Sequence, residues 1–202
     1  MKVKYCGITQ LRDAEYALDL GVDALGFIFY PKSPRFIDIS LATRIASSLP
    51  PFVTRVAVTV NSSDKEIEQI RTAGCFDRLQ LHGDETVERC HELAPASLIK
   101  AVGIPLAVDV DLAAYPVQGV LLDKASTKRG GTGETIDWEV AAEIRQSSRH
   151  PIILSGGLTP ENVQKAVEIV QPYGIDVCSG IESRPGIKDH QKMKEFIQQC
   201  RA

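Results

Sequence analysis

The feature that most limits what this chain can become is a strand–helix alternation running through its whole length. Short apolar runs recur every ~20–30 residues with amphipathic stretches between them, the order that builds a parallel sheet. The candidate strands are Val3–Tyr5, Ala24–Phe29, Arg55–Val60, Arg78–Leu81, Leu98–Val102, Gly119–Leu122, Ile152–Leu154 and Ile175–Val177. Eight strands in this order predict an α/β fold, a single-domain (β/α)₈ TIM barrel spanning residues 1–202. The length sits at the bottom of that fold's range, which begins at about 200 residues. An open doubly wound sheet is the alternative, but it usually carries a G-x-G-x-x-G turn after its first strand. Here that place is taken by Cys6-Gly7-Ile8-Thr9.

Several helix starts are readable. Ser63-Asp64-Lys65-Glu66 has the form of a capping box, opening a helix to about Ala73. Thr159-Pro160-Glu161 offers an N-cap, a proline at the first helical position and an acid in the first turn. Asp84 is a candidate cap for the helix of Val87, Cys90 and Leu93, and Asp38 or Ser40 for that of Leu41, Ile45 and Leu49. A segment near Leu106–Ala114 is assigned as the fifth helix, and Lys188–Gln199 as the last, with Met193, Phe196 and Ile197 on one face.

A formal net charge of -3 provides no general attraction to nucleic acid or anionic lipid, so any anionic ligand must be held by local groups. No stretch approaches the ~20 apolar residues of a membrane helix. The start, MKVKYCGIT, lacks the pattern of a signal peptide. Five scattered cysteines without a C-x-x-C pair argue against a disulfide framework or structural zinc, and so for a reducing cytoplasm. The four histidines are not spaced as metal-ligand pairs, and no metal or other cofactor is expected.

Alternation along a strand sorts its residues onto two faces. Lys4 and Cys6 share one face of the first strand, opposite Val3 and Tyr5; Gln80 and His82 lie opposite Leu79 and Leu81; Asp176 and Cys178 lie opposite Ile175 and Val177. The third strand divides into Val56, Val58, Val60 and Arg55, Ala57, Thr59. The expectation is that each apolar set faces the helices and each mixed set lines the interior. Polar residues gather at the strand ends, where this fold keeps its active sites.

Cys6 is either a small buried hydrophobe or a base, and Lys4 on the same face would favour its thiolate. Asp123 ends the run Val120-Leu121-Leu122, where a carboxyl either caps a loop or acts as a general acid. Ser155-Gly156-Gly157 and Ser179-Gly180 follow strands seven and eight, the two positions where barrels often bind phosphate through backbone N–H groups. Arg35, in a loop stiffened by Pro31 and Pro34, has a fork suited to a carboxylate. His82 is equally a core histidine or a ligand contact. Thr127–Gly133 is either a lid or a connection.

Taken together these residues resemble a known family. Lys4-Tyr5-Cys6-Gly7-Ile8-Thr9, Ser33-Pro34-Arg35, Gln80-Leu81-His82-Gly83, Leu122-Asp123 with Gly130-Gly131-Thr132-Gly133 and Trp138, Leu154-Ser155-Gly156-Gly157-Leu158, and Asp176 to Glu182 followed by Pro185-Gly186-Ile187-Lys188-Asp189 are similar to the motifs of phosphoribosylanthranilate isomerase. The likeness covers essentially the whole chain. One position departs: Cys178 stands where the family usually has serine, and a thiol is a poorer hydrogen-bond partner for phosphate than a hydroxyl.

The resemblance implies an Amadori rearrangement of N-(5-phosphoribosyl)anthranilate in tryptophan biosynthesis, without cofactor. It implies Asp123 as the acid at the ring oxygen and Cys6 as the base at C2. Arg35 is implied for the anthranilate carboxylate, the glycine loops for phosphate, Asp176 for a sugar hydroxyl, and His82 as a further contact. The substrate is the only partner implied, and oligomeric state is left open. Two rival readings stand beside it. The related histidine-pathway isomerase typically uses two aspartates, against which Cys6 argues. A non-catalytic sugar-phosphate-binding barrel would be expected to lose Cys6 or Asp123.

Overall fold

The computed structural model describes residues 1–94, 96–106, 110–125 and 135–202. Eight parallel strands hydrogen-bond in chain order and close into a barrel, β1 (Lys2–Tyr5), β2 (Ala24–Ile28), β3 (Thr54–Thr59), β4 (Arg78–Leu81), β5 (Leu98–Ile104), β6 (Gly119–Lys124), β7 (Ile152–Leu154) and β8 (Gly174–Val177). Closure is made by β8 against β1, with Lys4 opposite Asp176 and Tyr5 opposite Val177. All eight expected strands are present, with ends that differ by up to two residues.

Around the barrel lie α1 (Leu11–Asp19), α2 (Ile39–Ser48), α3 (Asp64–Ala73), α4 (Val87–Leu93), α5 (Trp138–Ser147), α6 (Val163–Val170) and α7 (His190–Arg201). The capping box of α3 forms as expected, with Ser63 and Glu66 each bonded to the other's backbone N–H. Asp38 caps α2 by accepting from Ser40 N. Other starts differ from the sequence reading. Thr86, not Asp84, caps α4, and the Asp84 N–H instead donates to Asn61. Helix α6 begins at Val163 rather than beside Thr159, because Asn162 ties the loop by bonding Thr159 N and Gly157 O. Helix α7 begins after Lys188, which belongs to a short hairpin of β9 (Glu182–Arg184) and β10 (Ile187–Lys188).

The expected fifth helix is replaced by one 3₁₀ turn, Leu112–Ala114, while residues 107–109 lie outside the described set. Asp111 caps Ala113 and the chain is already extended at Tyr115. Pro116 requires this, since the residue before proline avoids helical geometry.

The main core lies between sheet and helices. Val3, Tyr5, Leu25, Phe27, Leu79, Leu81, Leu122, Ile175 and Val177 point into it, and Met193, Phe196 and Ile197 of α7 meet them as anticipated. The buried hydroxyl of Tyr5 donates to Met193 O at 2.6 Å, tying the first strand to the last helix. A second, smaller cluster fills the barrel: Cys6, Val56, Val58, Ile99, Ala101 and Leu121. Here the facing rule fails for β3. Its valines point inward and Ala57 outward, because the interior below the mouth is a packed layer that needs branched side chains. Among the described residues no helix is long and apolar enough to cross a membrane.

Candidate active site

At the C-terminal ends of the strands a cavity opens, the place where this fold keeps its active sites. Cys6, Arg35, Gln80, His82, Asp123, Ser155, Gly156, Gly157, Asp176, Cys178 and Ser179 line it. The structure therefore brings the expected residues from β1, β2, β4, β6, β7 and β8 to one mouth; Gly180 borders an adjoining recess with Gly157 and Ser179.

Cys6 is buried beside Lys4 and Cys178. Lys4 was expected to favour the Cys6 thiolate, but its Nζ lies 2.9 Å from Asp176 Oδ1, both side chains deeply buried. Burial opposes the Lys4 charge, yet Asp176 and Cys6 together hold its pKa above the ordinary lysine value. The Cys6 thiol is itself pushed well above the usual range, first by the hydrogen bond it gives Cys178 and then by burial; the pull of Lys4 is weaker. Lys4 therefore acts in the expected direction but is outweighed. Cys178 receives that bond and is lowered to about 7, with burial opposing and Lys188 and Arg35 assisting. Gly26 leaves room for Cys6 and Lys4 to point into the barrel, since a Cβ there would lie 2.7 Å from Cys6 Sγ and 3.1 Å from Lys4 Nζ.

Asp123 closes the other side. One carboxylate oxygen accepts from Lys124 N at 2.8 Å, and the other lies 3.1 Å from His82 Nε2. His82 Nδ1 is 3.0 Å from the Gln80 amide, so β4 presents a chain of polar groups ending on the Asp123 carboxyl. His82 is placed by this to orient Asp123 while itself facing the cavity.

Arg35 is buried, and its fork is largely occupied. Nε and Nη2 reach the Glu182 carboxylate at 2.7–3.0 Å. Glu182 also accepts from Lys188 Nζ at 3.1 Å and from Gly186 N. Burial works against the Glu182 charge, but Arg35 and Lys188 hold its pKa below the ordinary carboxyl value. Two cations thus share one carboxylate at the edge of the mouth. Neither Glu182 nor Lys188 was singled out from the sequence. Both lie within the final motif, but only the fold shows that they hold the Arg35 side chain.

Gly156 and Gly157 both have positive φ, 85° and 64°. Successive residues of this kind turn backbone N–H groups toward a common point. Among the described residues these two N–H groups have no hydrogen-bond partner. Gly180 sits against the neighbouring loop so closely that a Cβ would lie 1.8 Å from Leu158 O. The two glycine loops are therefore packed side by side. The stretch Thr127–Gly133 lies outside the described residues. No group of three or more His, Cys, Asp or Glu able to hold a metal ion occurs among the described residues.

A family profile described as N-(5'phosphoribosyl)anthranilate (PRA) isomerase matches residues 3–199. The chain belongs to the phosphoribosylanthranilate isomerase family. An N-(5'-phosphoribosyl)anthranilate isomerase of Thermotoga petrophila is 44% identical over 203 residues, covering 100% of this chain and 98% of that protein. The crystal structure of phosphoribosyl anthranilate isomerase from Thermotoga maritima superimposes with a TM-score of 0.90 at 42% identity, covering 100% of this chain and 98% of the other. A further family structure holds reduced 1-(o-carboxyphenylamino)-1-deoxyribulose 5-phosphate. It matches at a TM-score of 0.84 and 38% identity, again over 100% and 98% of the two chains.

Proposed function

We propose that this barrel, acting as one unit over residues 1–202, converts N-(5-phosphoribosyl)anthranilate to 1-(2-carboxyphenylamino)-1-deoxyribulose 5-phosphate by acid–base catalysis alone. The reading rests above all on one observation: Cys6 and Asp123 line the same cavity, between a buried arginine and paired glycine loops. That cavity has the chemical polarity of the substrate, with a carboxylate at one end and a phosphate at the other. The family structure that contains a reduced carboxyphenylamino-deoxyribulose phosphate supports the assignment.

In this reading Asp123 protonates the furanose ring oxygen, and the anilino nitrogen pushes the ring open to an iminium. That cation acidifies the adjacent C2–H, which is why no cofactor is required. Cys6 passes its proton to Cys178, and the freed Cys6 sulfur takes the C2 proton. Tautomerisation of the resulting enolamine gives the ketone. The protein's contribution is placement of the acid, the base and both anchors. Arg35 holds the carboxylate through the donors that Glu182 leaves free, while Gly156, Gly157, Ser179 and Gly180 surround the phosphate. Asp176, held by Lys4, receives a sugar hydroxyl, and His82 keeps Asp123 oriented. The setting that suits free thiols at the reacting centre is a reducing cytoplasm.

The test is a fluorescence assay of anthranilate-substrate loss with Cys6→Ala and Asp123→Asn. Each should lower kcat by at least ~10²-fold, the usual scale for a general acid or base, with circular dichroism unchanged. Near-native turnover in either variant removes that residue from its role.

A further inference from the structure

Two thiols meet at the floor of this cavity for reasons of topology. Strands β1 and β8 close the barrel with Tyr5 opposite Val177, and the ladder continues through Cys6 N donating to Val177 O at 2.9 Å. Extending that register by one residue brings Cys6 beside Cys178, both free and both lining the cavity. Neighbouring strands run about 4.8 Å apart, and a disulfide accepts Cα atoms about 4.4–6.8 Å apart. Cα atoms at the inter-strand spacing fall within that bridging range. The remaining cysteines are buried elsewhere, none of them a lining residue of this cavity.

We infer that Cys6 and Cys178 are a reversible oxidation site, in which a hydroperoxide converts the two thiols to a disulfide across the β1–β8 seam. The roles within the pair follow from its surroundings. Cys178 is the more exposed, and Lys188 Nζ lies 3.1 Å from its carbonyl oxygen and 4.0 Å from its sulfur. Its lowered pKa makes it the thiolate of the pair near neutral pH. The Cys178 thiolate attacks the peroxide; an S–O bond forms, the O–O bond breaks, and the alcohol or water leaves after taking a proton. Cys6 sulfur then displaces the sulfenic hydroxyl. The S–S bond forms, the S–O bond breaks, and water departs with the Cys6 proton. Two electrons pass from the thiols to the peroxide, and a dithiol returns them by exchange.

Bond formation follows from the β1–β8 register and the shared lining of the cavity. Any accompanying loss of turnover rests on Cys6 being the base, as proposed above, so the two are read out separately. Trypsin leaves Cys6 in the peptide 5–12 and Cys178 in 166–188, each the single cysteine of its peptide. The whole chain is treated with hydrogen peroxide, alkylated, digested and mapped by mass spectrometry. The expected product is the 5–12/166–188 cross-link, growing with oxidant and abolished by dithiothreitol, with activity falling and returning in step. In Cys6→Ser the sulfenic acid has no resolving thiol, and dimedone should label Cys178; in the parent chain that adduct should be absent. Recovery of Cys6 only as sulfinic or sulfonic acid beside a free Cys178 overturns the inference, as does a Cys178 dimedone adduct of equal yield in both proteins. A cross-link that leaves turnover intact supports the site and removes Cys6 as the base.

Discussion

Replacing Glu182 by Gln removes one charge and almost no volume, so it isolates what that carboxylate contributes. In the native site Glu182 accepts from Arg35 Nε and Nη2, from Lys188 Nζ and from Gly186 N. Its side chain is only 4% exposed, and those of Arg35 and Lys188 are 9% and 0%. A glutamine can keep one accepting oxygen for Lys188 and Gly186. Its amide then faces the Arg35 N–H groups, donor against donor, and two buried cations are left without a carboxylate. Removing one partner of a buried pair usually costs about 3–5 kcal/mol. The lower part of that range applies, since Arg35 borders an open cavity from which water can reach it. For a chain of this size each kcal/mol moves Tm by about 2–4 °C, so a drop of roughly 10 °C is expected.

Urea unfolding of both proteins across a pH series provides the assay, and the sign is fixed by the direction of the Glu182 shift. Its pKa is held below the ordinary value of 4.5 by Arg35 and Lys188 against the effect of burial. A depressed carboxyl stabilises the fold above its unfolded pKa and loses that contribution as pH falls through the folded one. The stability gap between parent and Glu182→Gln should thus be full at neutral pH, and should narrow as acid takes the parent below pH 4.5. A gap under about 1 kcal/mol at neutral pH, the size of an exposed ion pair, would refute the reasoning, and so would a gap that acid leaves unchanged.

Other substitutions test separate parts of the site. Arg35→Ala should raise KM sharply, and Arg35→Lys should restore only part of the loss, because a single ammonium cannot serve Glu182 and a substrate carboxylate as a planar fork does; unchanged KM in both would show that the substrate carboxylate lies elsewhere. Gly180→Ala places a methyl 1.8 Å from Leu158 O, so one of the two glycine loops must move. Stability should fall by about 1–3 kcal/mol, the usual cost of overpacking, and weaker inhibition by inorganic phosphate should accompany it; a variant with native phosphate affinity would separate these loops from anion binding.

The parts of this molecule that could be read before folding are those written along one strand or one turn. Alternation put Lys4 with Cys6 and Asp176 with Cys178, and the structure keeps both pairs on the interior face. The Ser63–Glu66 box opens its helix where local hydrogen bonding says it should. Where the competing term was tertiary, local reading gave the wrong answer. Val56 and Val58 turn inward because the barrel must fill its own centre, and Thr159 loses its helix to an asparagine that secures the loop. The partnerships that set the chemistry were illegible for a plainer reason, since they join residues remote in sequence. Arg35 meets Glu182 across 147 positions and Lys4 meets Asp176 across 172. Lys4 illustrates the consequence. Its place beside Cys6 suggested a cation lowering a thiol, but the closing of β8 on β1 supplies Asp176 as a nearer anion and Cys178 as a hydrogen-bond acceptor. The charge that was to activate one cysteine is committed to a carboxylate instead. Cys178, which as a sequence departure looked only like a weaker phosphate contact, is a thiol lowered by its Cys6 neighbour and by Lys188 and Arg35 against the effect of burial.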